Sequence, residues 1–387
     1  MQPDAHVAAA IDILDDILDG AVAEQCLTRW ARAHRFAGSS DRAAIRDIVF
    51  DALRRRRSYA WLGGAESGRG LMIGALRASG VEPDTVFHGD GYAPGPLTED
   101  ERTARVPSNA APEPVRLDVP DWILSQVRQA YGDRTEGILS ALRDRAPVFL
   151  RVNLARSTRA DAITALAKED IAAVPHELAE TALEVTGNAR RLRNSRAFTD
   201  GLVEVQDGAS QAVVAACLPF VEGGRVLDYC AGGGGKALAF AAAGVADVTA
   251  HDAAPKRMKD IAPRAERAGT PVRTVIAVKG VYDLVLCDAP CSGSGAWRRQ
   301  PDAKWTLDAA QLGALTGLQD GILDAAQHHV APGGTLAYAT CSLLSVENGV
   351  RIEAFLARNL NWQVVDQRQW TPLEGGDGFF LAILQRS

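Results

Sequence analysis

Two cysteines stand where a thiol can do chemistry. Cys291 lies in the turn Asp288-Ala289-Pro290-Cys291-Ser292-Gly293-Ser294-Gly295, directly after the apolar run YDLVLCD. Cys341 lies in Thr340-Cys341-Ser342, at the end of the run TLAYATC. Both occupy polar turns, where a thiol can reach a substrate and act as a nucleophile once deprotonated. A helix is expected to begin after Cys341, with Ser345 as its N-cap and Glu347-Asn348 in its first turn. Such a helix start would favour thiolate at Cys341. Cys217 and Cys287 sit inside apolar runs and read as small buried hydrophobes. Cys230 borders a glycine-rich bend, and its role stays open. None of the six cysteines forms a CxxC pair. No zinc site or disulfide framework is therefore expected, and a reducing cytoplasm is the expected setting.

The glycine-rich bend is Cys230-Ala231-Gly232-Gly233-Gly234-Gly235-Lys236, between the run RVLDYC and an alanine-rich helix. Glycines here let the backbone approach a ligand, and the helix N-terminus favours negative charge. A P-loop would need a first glycine where Cys230 stands and Ser or Thr where Ala237 stands. A dinucleotide fingerprint counted from Gly232 meets Ala237 in place of its third glycine. The third reading is a methyltransferase loop, packing glycines against the methionine part of S-adenosylmethionine. The next strand ends in His251-Asp252. An acid about 20 residues past such a loop suits a ribose diol, although Asp252 could also cap a helix.

Positioning these turns requires an α/β framework. From about residue 205, short apolar runs (RVLDYC, VADVTAHD, PVRTVI, YDLVLCD, GGTLAYATCS) alternate with helical stretches, which predicts βαβ units and a parallel sheet. The glycine bend and both cysteine turns then follow strands at one carboxyl edge, where open α/β sheets bind ligands. Upstream, Ala8, Ile11, Leu14, Ile17 and Leu18 recur at helical spacing, as do Ile45, Ile48, Val49 and Leu53 ahead of Arg54–Arg57. The resulting division is a helical domain over 1–88, a Pro/Gly-rich connection over 89–119, a small α+β domain over 120–204 and a Rossmann-like domain over 205–387. In the third segment Val148–Val152 reads as a strand and Arg159–Lys168 as a helix.

Composition restricts the class further. In 387 residues, 47% are hydrophobic and 23% charged, which fits a soluble globular protein rather than a disordered one. The N-terminus is acidic and lacks the order of a signal peptide, and no apolar run is long enough to span a membrane. The net charge of -6 runs against a nucleic-acid partner unless basic residues are concentrated locally. Arg190, Arg191, Arg193 and Arg196 form one such concentration. Arg298, Arg299 and Lys304 form another, with Trp297 and Trp305 interleaved as surfaces on which bases could stack.

LDYCAGGGGK, DAPCSGSGAWRRQPDAKW, LAYATCSLLSVEN and the terminal GDGFFLAIL resemble the Nop/Sun family of RNA cytosine-C5 methyltransferases, most closely its bacterial RsmB (Sun) branch. The resemblance extends through LRVN, at Leu150–Asn153, and FTDGLVEVQDGASQ, at Phe198–Gln211. It includes a helical N-terminus similar to the branch's NusB-like RNA-binding domain. It implies an S-adenosylmethionine-dependent enzyme acting on RNA, expected to be 16S rRNA; a monomer is the default expectation, and no DNA or membrane partner is expected. Cys341 would attack carbon 6 of the cytosine and Cys291 would assist release of the adduct. Asp288 would bind the cytosine edge, with Lys236 near the reacting base. Cys230 to Lys236, Asp252 and Asp288 would hold the cofactor, and Arg257 matches an arginine of the substrate or cofactor cleft.

Two departures stand out. The family's loop usually has a proline before its last two glycines, and Gly234 is read as its replacement. A Gly-Asp pair that usually follows the third strand and contacts the adenine region is missing from the shortened VRTVIAVKGVYDLV. These departures motivate an alternative, a catalytically decayed RNA-binding factor of ribosome assembly. The two cysteine turns argue against that alternative. They also leave a nicotinamide oxidoreductase unsupported, and the TCS nucleophile favours RNA over DNA as substrate.

Overall fold

The helical periodicity of the first segment produces the helices Pro3–Leu18, Ala23–Ala33, Ser39–Arg54, Arg56–Gly63 and Gly68–Ala78. The structure is a computed structural model that describes residues 1–103, 108–221 and 224–386. Ala10, Ile13, Leu14, Ile45, Val49, Leu53, Leu71 and Ile73 form the core of this helical bundle. Gly74 lets two helices approach backbone to backbone, since a Cβ there would lie 1.9 Å from the Tyr59 carbonyl oxygen.

Contacts divide the chain into two units: Met1–Arg145 with Trp297–Thr306, and Ala146–Ala296 with Leu307–Ser387. The first unit therefore extends beyond the expected helical segment. The described residues of the 89–119 stretch are packed onto the helices rather than loosely tethered. Leu97, Val115, Leu117 and Val119 are buried, and Arg69 donates to the Gly95 and Pro96 carbonyls. Asp121–Tyr131 and Thr135–Ala141 belong to this unit too. Their place is fixed by Asp118, whose carboxylate is fully buried. It accepts from the Ser58 N–H and hydroxyl, each at 2.8 Å, and pairs with Arg143 at 2.8 Å.

The segment Trp297–Thr306 is held by the free carbonyls at the end of the helix Ser39–Arg54. Trp305 Nε1 donates to the Leu53 carbonyl at 2.7 Å, and Lys304 Nζ to the Arg54 carbonyl at 3.3 Å. Arg54 in turn donates to the Arg298 carbonyl.

In the second unit, β1 (Val148–Val152), β2 (Ala172–Pro175), β3 (Ala182–Gly187) and β4 (Val203–Val205) form an antiparallel sheet in the order β2-β3-β1-β4. The helix Arg159–Ala167 connects β1 to β2 and is capped by Thr158, whose hydroxyl accepts from the Asp161 N–H. The expected strand at Val148–Val152 is present as read.

A larger sheet follows: β5 (Arg225–Asp228), β6 (Asp247–His251), β7 (Arg273–Val275), β8 (Tyr282–Asp288), β9 (Val330–Thr340), β10 (Trp362–Trp370) and β11 (Phe379–Arg386). Its order is β10-β11-β9-β8-β5-β6-β7, parallel from β7 through β9 and antiparallel at β10 and β11. This is the expected Rossmann-like α/β architecture. β8 and most of β9 are buried on both faces, which explains their continuous apolar runs. Among the described residues, no helix is long and apolar enough to cross a membrane.

Replacing Asp118 by Ala should destabilise the helical unit by about 1–3 kcal/mol, because half-buried Arg143 and the Ser58 donors lose their acceptor. Urea unfolding followed by tryptophan fluorescence measures the loss.

Candidate active site

β5 lies between β6 and β8, so connections leave its carboxyl end in opposite directions and open a crevice there. The bend after β5 is held by the Ala231 N–H, which donates to the His251 carbonyl at 2.8 Å, and the Gly234 N–H, which donates to Ala231. Gly232 and Gly234 have φ of 52° and 79°. Gly234 thus occupies a conformation closed to proline, whose ring fixes a negative φ. A Cβ there would also lie 2.6 Å from Ile261. Counting back from Lys236, the residue before the last two glycines is Gly233, so the family proline is replaced at Gly233 and not at Gly234.

Asp252 Oδ2 accepts from the Gly232 N–H at 2.9 Å, and Oδ1 from the Ala254 N–H at 2.9 Å. Arg257 pairs with Asp252 at 3.1 Å, which brings these two expected residues together beside the loop. Below it, Asp228 is almost fully buried. Its Oδ2 accepts from the Ala237 N–H at 3.0 Å, while Oδ1 has no protein partner. Burial first, then Asp288, pushes this carboxyl up to about 7. An orphaned buried oxygen beneath a glycine cradle, with Asp252 beyond it, fits a ligand carrying an ammonium at one end and a diol further along. S-adenosylmethionine is such a ligand. The sequence reading missed Asp228, although it stands two residues before Cys230 in the same quoted motif.

Lys236 opens the helix Gly235–Ala242 and is buried, with Nζ 2.6 Å from Asp288 Oδ2 at the end of β8. Nζ also lies 4.9 Å from the Phe379 ring centroid. Burial opposes its charge, but Asp288, Asp228 and Cys341 together hold the amine above the ordinary lysine value.

The adjacent strand ends bring Cys291 Sγ and Cys341 Sγ to 3.4 Å. Their shared hydrogen bond, followed by burial, raises Cys291 well above an ordinary thiol. Cys341 does not precede a helix directly. Ser345–Glu347 is a single 3-10 turn, and the helix Gly349–Arg358 follows Asn348. The expected cap at Ser345 is not found.

The expected RNA contacts divide. Arg190, Arg191, Arg193 and Arg196 are exposed on and just after the 3-10 turn Ala189–Asn194, where Arg191 pairs with Asp170. Arg299 is also exposed. Arg298 and Lys304 are instead buried, 4% and 3% exposed, and Trp297 is 2% exposed. Burial pushes the Lys304 amine down to about 7. Arg298 and Lys304 serve the packing of the helical unit and are not presented to phosphates. After β7 the missing acid is not replaced: residues 276–281 join β7 to β8 without a helix, and Ile276 is 78% exposed.

Comparison with known proteins agrees with this geometry. Residues 215–385 match the family model of the 16S rRNA methyltransferase RsmB/F, and residues 119–190 match the ferredoxin-like domain of RsmF/B-like methyltransferases. A ribosomal RNA small subunit methyltransferase B from Xylella fastidiosa is 33% identical over 89% of this chain and 91% of its own length. The chain belongs to the RsmB/F methyltransferase family. The enzyme of the same name from Serratia proteamaculans is 34% identical over 68% of this chain, and the match spans 66% of its length. Among solved structures, PH0851 superposes over the whole chain with a TM-score of 0.76 at 21% identity. NSun6 from Pyrococcus horikoshii covers 69% of the chain and 98% of its own, with a TM-score of 0.61 at 17% identity. These two likenesses describe the family fold.

Asp228 ionises near 3.8 when free but near 7 when folded. Between those values the unfolded chain has lost a proton that the folded protein keeps, so this group's contribution to stability falls as pH rises. Asp228→Asn keeps an acceptor for Ala237 and removes that dependence. Its urea midpoint should match wild type at pH 4 and exceed it at pH 8, while its affinity for S-adenosylmethionine falls.

Proposed function

We propose that this chain methylates carbon 5 of a cytosine in small-subunit ribosomal RNA, with S-adenosylmethionine as methyl donor. The observation that carries this reading is the pair of thiols 3.4 Å apart, at the same sheet edge as the Lys236–Asp288 ion pair. When bound, the cofactor supplies an electrophilic methyl group. Asp228, the glycine cradle and Asp252 would hold it.

Carbon 5 of cytosine is a weak nucleophile, and addition of a thiolate at carbon 6 makes it enamine-like. Cys341 Sγ forms the bond to carbon 6 while the electrons of the C5=C6 double bond move into the ring. Asp288, anchored by Lys236, would bind the cytosine edge and favour the electron-rich adduct. Carbon 5 then takes the methyl group. Loss of its proton to a base drives the electrons back toward C5=C6 and expels the Cys341 sulfur. Cys291 stands beside the bond that must break and assists this exit. A paired or stacked target must first be extruded at a cost of about a few kcal/mol. Contacts from Arg190, Arg191, Arg193, Arg196 and Arg299 to phosphates offset it. The decayed-factor alternative gains no support from the site, where both thiols and the lysine keep a joined arrangement.

Incubation with labelled S-adenosylmethionine and unmodified 16S rRNA tests the reading. Wild type should label the RNA, and digestion should recover 5-methylcytidine. Cys341→Ala should give neither label nor covalent complex. Cys291→Ala should accumulate a protein–RNA adduct on a denaturing gel. Tight RNA binding without label, on ribosomal or transfer RNA, would overturn it.

A further inference from the structure

Glu347 is fully buried six residues after Cys341, and its carboxylate joins the two cysteine turns. Oε1 accepts from the Ser292 N–H at 2.8 Å and from Gln319 Nε2 at 3.1 Å. Oε2 accepts from the hydroxyl of Ser292 and, at 2.5 Å, from that of Ser342. Ser292 follows Cys291, and Ser342 follows Cys341. One carboxylate thus grips the residue immediately after each cysteine.

The surrounding bonds serve the same end. Ser294 Oγ lies 3.0 Å from Ser342 Oγ and accepts from the Leu343 N–H at 2.8 Å. Gln319 Nε2 also donates to the Pro290 carbonyl, on the other side of Cys291. The Glu347 backbone is fixed from below, where the Tyr338 hydroxyl donates to its carbonyl at 2.7 Å. A buried carboxylate is costly unless its oxygens are satisfied, and all four of these donors come from or brace the cysteine turns. The thiols themselves share only a weak hydrogen bond, which would not hold two glycine- and serine-rich turns in register.

We propose that Glu347 is a positioning residue that sets the separation of Cys291 and Cys341 by clamping Ser292 and Ser342. The functional part rests on the cysteine roles proposed above. Forming the adduct requires only Cys341, whereas resolving it requires both sulfurs at a fixed separation. Loss of the clamp therefore slows release more than addition.

The test has a readout independent of catalysis. Diamide oxidises two adjacent thiols to a disulfide; the two thiol hydrogens pass to its N=N bond, giving the hydrazine. Peptide mass spectrometry follows formation of the Cys291–Cys341 disulfide. Glu347→Ala should form it about tenfold more slowly than wild type, since small displacements of reacting atoms carry large rate costs. Glu347→Gln should restore most of the rate, because its carbonyl still accepts from Ser292 N–H and the serine hydroxyls can accept from its amide. With RNA, Glu347→Ala should accumulate adduct at unchanged cofactor affinity. If Glu347→Ala does not fold, the double variant Ser292→Ala/Ser342→Ala, which removes both hydroxyl bonds, carries the same test. Wild-type disulfide kinetics in the folded Glu347→Ala protein, or in the double variant where it is used, overturns the clamp. Slowed kinetics in a protein whose wild type transfers no methyl group upholds the clamp and rejects the cysteine chemistry instead.

Discussion

The ion pair between buried Lys236 and half-buried Asp288 organises the crevice. It ties the first turn of a helix after β5 to the end of β8, across the point where the sheet connections diverge. A buried ammonium is tolerated because the attraction of its partner offsets much of the lost hydration. Here it also separates acids that would otherwise repel one another. Asp228 lies close enough to Asp288 for that charge to raise its carboxyl, and Lys236 opposes the effect. Cys341 is also among the groups that hold this ammonium above the ordinary lysine value. One cation thus serves the cofactor side and the thiol side of the crevice, and neither side can be altered electrostatically without the other.

The small antiparallel sheet contributes to the same place. Arg151, on β1, is buried and donates to the Gly235 carbonyl at 2.7 Å and to Gln206. A carbonyl in the first turn of the glycine-loop helix is therefore held by a guanidinium from another sheet. This gives a physical reason for a charged residue inside an otherwise apolar strand. It also joins β1 to the loop through a group that cannot readily lose its charge.

Much of this was legible in the sequence because it is periodic or punctuated. YDLVLCD became β8 with the same residues, and Val148–Val152 became β1. The convergence of the glycine loop, Asp288 and the two cysteines follows from parallel pairing alone, once each motif is placed after a strand. What escaped is what depends on contacts between distant segments. Glu347 reads as an ordinary first-turn acid because its donors, Ser292 and Gln319, are 55 and 28 residues away. Arg298 and Lys304 read as surface charge because Arg54, which bonds both, lies 244 and 250 residues away. Asp228 was visible, but only three-dimensional structure reveals an oxygen without a partner.

The decapeptide Trp297–Thr306 has a consequence for how this architecture can change. It leaves the second unit just after the Cys291 turn, is counted with the helical unit, and returns. The helical unit is thus built from two separated stretches of chain, one of which interrupts the methyltransferase sequence. A gene fragment beginning at Ala146 would still encode Arg298, Lys304 and Trp305 but would lack the helix end that bonds them. Gain, loss or exchange of the helical unit at a single junction would leave this internal segment without the helix end it bonds. Such an event is expected to bring change in the internal segment with it, which couples two distant stretches of the sequence.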